Sequence, residues 1–104
     1  MKTILSELGQ YLRELRKNND QTLHQVSQGT DIDSPLLSKL ERGERLPTAE
    51  QIKKLSKHFK VSESKLKVLA TAEKIIKDYG ANQVTLEAIS IVQEEIVKYI
   101  KPNR

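Results

Sequence analysis

The chain has 104 residues, 18 of them Lys or Arg against 14 Asp or Glu, for a formal net charge of +4, and it contains no cysteine. This length suits one ordinary domain with an appendage and is short for two independent cores. Without cysteine, disulfides, thiolate nucleophiles and Cys-ligated metals are excluded, and with one Phe, three Tyr and no Trp the core must come from Leu, Ile and Val, a composition that favours an all-α fold.

The N-terminal run MKTILSELGQYLRELRK breaks its apolar residues with charge every few positions, which predicts a soluble cytoplasmic protein rather than a signal peptide or a membrane span. Residues 1–60 carry eleven basic and eight acidic side chains and residues 61–104 carry seven and six, so the basic excess leans toward the N-terminal part. An excess of this size does not by itself mark a nucleic-acid binder.

In chain order, Leu5, Leu8, Leu12 and Leu15 recur at steps of three, four and three, the stripe of a helix that runs to about Lys17 and is stopped by Asn18-Asn19-Asp20. Thr22 is suited to cap a short second helix that turns Leu23 and Val26 inward and ends near Gly29. Asp31 to Pro35 reads as a turn and a new helix start. Either Asp33 or Ser34 can cap there, and a proline is tolerated in the first turn. Leu37 and Leu40 supply the buried face and Gly43 the stop. Thr48 and Gln51 match a capping box ahead of Ile52, Leu55 and Phe59. Ser62 caps a fifth helix with Leu66, Leu69 and Ile76. A break at Gly80-Ala81-Asn82 separates it from a last helix over about Thr85 to Ile100, ending before Pro102, whose apolar stripe is too wide for a helix with one wet side. The predicted division is a domain over residues 1–69 and a helical extension over 70–104.

Leu23 and Val26, a turn around Asp31, then Ile32, Leu37 and Leu40 have the spacing of a helix-turn-helix. Joined to Leu12 and Arg16 before it and to the run SKLERGERLPTAEQIKKLSKHF after it, this part of the sequence, about Leu8 to Leu66, resembles the phage repressor and Cro type of helix-turn-helix regulator, the XRE family. The resemblance implies a five-helix DNA-binding domain, here with an added C-terminal helix, whose helix from Ser34 to about Arg42 enters the major groove. It places Ser34, Pro35, Ser38 and Lys39 toward base edges, Thr22, Arg42 and Arg45 toward phosphate, and Arg16 with Glu41 as a structural ion pair. Lys39 would donate to guanine O6 or N7. Leu36 reads as half-buried packing and Asp33 as a cap. The sequence departs from the family pattern at Leu23, where glutamine is usual, at Ser27, where a small apolar residue is usual, and at Asp31, where glycine is usual.

His24 and His58 lack metal-ligand spacing and read as surface or edge residues. No catalytic constellation appears, so the sequence predicts neither an enzyme nor a cofactor or metal site. The last helix, through Leu86, Ile89, Val92, Ile96 and Ile100, can pack on its own chain, form a dimer seam or dock another protein. The favoured expectation is a homodimeric transcription regulator on a palindromic operator, of the autoregulatory repressor or restriction-modification controller type. The rival is a protein-interaction module, such as an antitoxin whose C-terminal helix binds a partner.

Overall fold

The structure is a computed structural model that describes residues 7–100. These form six α-helices and no strand: α1 Glu7–Asn18, α2 Leu23–Thr30, α3 Ser34–Glu41, α4 Ala49–Phe59, α5 Glu63–Tyr79 and α6 Gln83–Ile100. The all-α class expected from composition is the class observed. Leu5 and Pro102, which entered the reading of the first and last helices, lie outside the described residues.

α2, α3 and α4 each start on a side-chain cap. In α2 the Thr22 hydroxyl accepts from the Gln25 amide at 3.1 Å while the Gln25 side chain accepts from the Thr22 amide at 2.8 Å. Thr48 and Gln51 repeat that reciprocal pair at the start of α4, so both helices open with orphan amides satisfied. Asp33 caps α3, its carboxylate accepting from Leu36 N–H at 2.8 Å, and this leaves Ser34 and Pro35 as the first helical residues. Of the two cap candidates, the one with charge wins. Asp31 ends α2 in the left-handed region at φ 62°, a conformation its short polar side chain tolerates.

The start of α6 differs from the sequence reading. Asn82 caps the helix, accepting from the Thr85 amide at 2.9 Å, so the helix begins two residues before Thr85. Asparagine is among the strongest N-cap residues, and the turn at Gly80 delivers it there.

The chain divides into two compact units, residues 1–74 and 75–104. The expected boundary at 69/70 falls within α5, which continues to Tyr79. In the first unit Leu8, Leu12, Val26, Ile32, Leu37, Leu40, Ile52, Leu55 and Leu66 are buried together, with Leu15, Leu23, Leu36, Phe59 and Leu69 among the residues packed around them. A fully buried side chain of this size stabilises by roughly 1.5 to 3 kcal/mol relative to leaving it exposed. Helices of 8 to 12 residues, as α1 to α4 are, are too short to persist alone in water and hold their shape through this shared core. Leu23 belongs to that shell and packs against the core.

In the second unit α6 buries none of its residues. Leu86, Val92, Ile96 and Ile100 are 63%, 47%, 50% and 68% exposed.

Candidate nucleic-acid interface

The framework of the site is the contact of α3 with α1. Gly9 lies on the α1 stripe one helical step before Leu12, and a Cβ built there would stand 2.4 Å from the Glu41 carbonyl oxygen and 2.6 Å from that of Leu40. Only glycine lets the end of α3 approach α1 this closely. Two turns further along α1, Arg16 Nε donates to Glu41 Oε2 at 2.7 Å and Nη2 to Glu41 Oε1 at 3.0 Å. The same guanidinium donates from Nη1 to the Gln21 carbonyl at 3.0 Å.

The paired side chains are only 15% and 10% exposed, and hydrogen bonding to Glu41 raises the Arg16 pKa against the opposing effect of burial. A bidentate pair with a third donor on a backbone carbonyl is the geometry in which a desolvated ion pair holds rather than strains a fold. Its consequence is positional: α3 is tied to α1 and to the residue just before the α2 cap.

Gln21 extends this tie in the other direction, since its side-chain Oε1 lies 2.9 Å from His58 Nε2. The His58 ring covers Gly29, where an added Cβ would meet Nδ1 at 2.4 Å, and it stands edge-on to Phe59 at 4.8 Å between centroids. His58 is therefore half-buried and links α2 to α4, a role its sequence position did not show. His24 is exposed on α2.

The α3 residues that the resemblance places at base edges differ in exposure. Pro35 and Lys39 are exposed and Ser34 and Ser38 are half-buried. Leu36 is also half-buried and packs against the core. Thr22 is exposed at the α2 cap, and Arg45 is exposed in the loop that follows α3. Arg42 is the C-cap of α3, its amide donating to the Ser38 carbonyl at 3.1 Å, so it stands one turn above Ser38 on the same face.

The structure brings Arg42 together with two neighbours. Its Nε and Nη2 donate to the Glu44 carboxylate at 2.8 and 3.2 Å, and its Nη1 donates to Ser38 Oγ. These bonds push the Arg42 pKa up and hold the Glu44 carboxyl below its usual range, with a smaller attraction from Lys39. Glu44 was not singled out by the sequence reading, although its spacing in Glu41-Arg42-Gly43-Glu44-Arg45 puts it two residues from Arg42 across a glycine.

Among the described residues no cluster of three or more His, Asp or Glu side chains could hold a metal. No helix there is long and apolar enough to cross a membrane.

Comparison with known proteins agrees with this architecture. No curated relative matches the sequence significantly. Among solved structures, the clp gene regulator ClgR from Corynebacterium glutamicum is similar in fold, with a TM-score of 0.57 and 19% identity over 98% of each chain. A family model described as a helix-turn-helix domain matches residues 7–69, well over half of the 104 residues and the same stretch that holds the α1 to α5 core. The chain belongs to the helix-turn-helix domain family.

Proposed function

We propose that this chain is a non-enzymatic, sequence-specific transcription regulator of the phage repressor and Cro type, which binds double-stranded DNA as a homodimer on a palindromic operator. The observation that carries this reading is the lock on α3: Gly9 and the Arg16–Glu41 pair fix its inner face. Of the α3 residues that the resemblance places at base edges, Pro35 and Lys39 are exposed and Ser34 and Ser38 are half-buried. In this reading Ser34, Pro35, Ser38 and Lys39 face base edges, with Lys39 donating to guanine and Pro35 pressing on thymine methyl groups. Thr22 and Arg45 flank α3 and hold the phosphates that set its register.

One helix-turn-helix reads only a few base pairs, and a two-fold pair reads half-sites about 34 Å apart. In α6, Ile89, Val92, Ile96 and Tyr99 follow at steps of three, four and three, the spacing of a two-helix seam. Ile89 and Val92 also line a groove of about 350 Å³ with Ile75, Tyr79, Val84 and Ala88. Leu86, Ile89, Val92, Ile96 and Ile100 are the residues assigned to the dimer contact. The same exposed face supports a second reading, a dock for a partner protein of the antitoxin kind.

Two measurements test these proposals. Binding to a duplex enriched from a randomised pool should fall steeply with salt, with a log–log slope of about −0.9 for each phosphate neutralised. Failure to bind any selected duplex at about 50 to 100 mM salt, the lower end of the range over which such contacts weaken, removes the regulator reading. In sedimentation, the wild-type chain should be a dimer at micromolar concentration and the Ile89→Glu, Ile96→Glu variant a monomer. A wild-type monomer would leave the partner-protein reading of α6.

A further inference from the structure

The stripe assigned to base reading is poor in donors: one proline, two serines and one lysine. The geometry at the end of α3 shows where more donors come from. Gly43, at φ 75°, returns the chain so that its own amide donates to the Leu40 carbonyl at 3.1 Å and the Glu44 amide donates to the Lys39 carbonyl at 2.9 Å. This closure satisfies the last carbonyls of the helix and needs a left-handed residue in the middle. It also sets the Glu44 side chain beside the last turn of α3, where it grips the Arg42 fork at 2.8 and 3.2 Å.

Pro35, Ser38, Lys39 and Arg42 follow at steps of three, one and three, which places all four on one face of the helix. The hydrogen bond from Arg42 to Ser38 Oγ fixes the guanidinium along that face.

We propose that Arg42 is a base-reading residue of α3, directed at a guanine, and that Glu44 is the positioning residue that presents it. This rests on the DNA-reading proposal above and revises the phosphate role that the family resemblance gives Arg42. Three physical points separate the two roles. A phosphate contact takes a guanidinium that swings out toward the backbone, whereas this one is held at three nitrogens against the reading face. Arginine has five N–H donors in a rigid plane: Glu44 takes one on Nε and one on Nη2 and Ser38 one on Nη1, and the two Nη nitrogens, each with a second N–H, are the pair with which a guanidinium can span guanine O6 and N7. A carboxylate beside a phosphate is repelled, while in the major groove it meets the N4 donor of the paired cytosine. Arg42 and Glu44 are 51% and 53% exposed, and a pair so exposed adds little to folding stability. Its effect is orientation, which lowers the cost of ordering a long side chain when DNA arrives.

The test compares the wild-type chain with Arg42→Ala, Arg42→Lys and Glu44→Gln on the duplex that the wild type enriches from a randomised pool, and on duplexes with single base pairs exchanged, over about 50 to 200 mM salt. Thermal unfolding confirms that each variant is folded. Arg42→Ala is expected to lose about 5- to 150-fold on the enriched duplex, with the loss confined to one G·C pair per half-site and the salt slope retained. Arg42→Lys should keep the slope and lose most of that preference, because an ammonium has no fork. Glu44→Gln should relax the preference at the same pair although Arg42 is present. If Arg42→Ala weakens every duplex equally and lowers the slope by about one, Arg42 is a phosphate clamp and the proposal is overturned. If Glu44→Gln leaves the preference intact, the positioning role of Glu44 is overturned. A wild-type chain that enriches no duplex removes the DNA-reading proposal and this inference with it, a result distinct from the other two.

Discussion

The two ends of this chain are built from the same kinds of side chain and put them to opposite uses. Among the described residues of the first unit, nine aliphatic side chains disappear into one core. In α6, Leu86, Val92, Ile96 and Ile100 all remain about half exposed or more. A leucine-rich stripe in a short helix folds the chain onto itself because neighbours lie within a few residues on every side, joined by tight turns. The stripe of α6 has an 18-residue helix to itself. The difference shows that an apolar stripe states a requirement for cover without stating who meets it.

The largest effect that would test this contrast lies in the core. Leu55 is 1% exposed, so Leu55→Ala should cost about 2 to 5 kcal/mol of unfolding free energy, from lost transfer and the cavity left behind. Urea denaturation measures it. A cost below about 1 kcal/mol would mean that the first unit is far more loosely packed than its burial implies.

The next effect concerns close approach rather than volume. Gly9→Ala puts a methyl group 2.4 Å from the Glu41 carbonyl oxygen, and the backbone of α3 has to retreat. The expected cost is about 1 to 3 kcal/mol by denaturation, the range for overpacking. Because α3 would move with it, affinity for the enriched duplex should fall in parallel. An unchanged affinity would show that the α1–α3 contact does not set the pose of the reading helix.

What the sequence could and could not show follows from the range of each interaction. The starts of α2 and α4 were legible because caps are local: Thr22 with Gln25, and Thr48 with Gln51, are complete signals within four residues. The left-handed turn at Asp31 and the core stripe were legible for the same reason. Gly9 was not, because a glycine inside a helix pattern reads as a weak point until the carbonyls of Leu40 and Glu41, some thirty residues away, are seen against it. Nor was the link from His58 to Gln21, which spans 37 positions. The cluster of Ser38, Arg42 and Glu44 is close in sequence, yet its geometry depends on the return of the chain at Gly43, and charges alone do not reveal which side of the turn they occupy.

A smaller effect would sharpen the contrast from the side of α6. Ile96 is 50% exposed, so in dilute monomer Ile96→Ala should change stability by no more than about 0.5 kcal/mol, as at ordinary surface positions. In a dimer seamed by α6 the wild-type melting temperature rises with concentration, and the variant loses part of that rise. Melting curves at two concentrations about a hundredfold apart separate the cases. A wild-type melting temperature that does not depend on concentration would argue that a second copy is not what covers α6.

The smallest expected effect on stability belongs to Glu44, and its smallness is informative. The carboxyl is held below its usual range, chiefly by the Arg42 hydrogen bonds. A group whose pKa is lower folded than unfolded stabilises the fold above its unfolded value, and that contribution is lost as pH falls through the folded value. Wild type should therefore melt slightly above Glu44→Gln at neutral pH, and the two should converge in acid, below the normal carboxylate range. Both partners are about half exposed and screened by solvent, so this margin should also shrink with added salt. If Glu44→Gln instead unfolds the protein, Glu44 is part of the scaffold like Glu41, and any change in its DNA preference would follow from lost structure. A nearly unchanged melting curve combined with a relaxed preference at one base pair separates orientation from stability, and it would show that the turn at Gly43 matters to reading as well as to ending the helix.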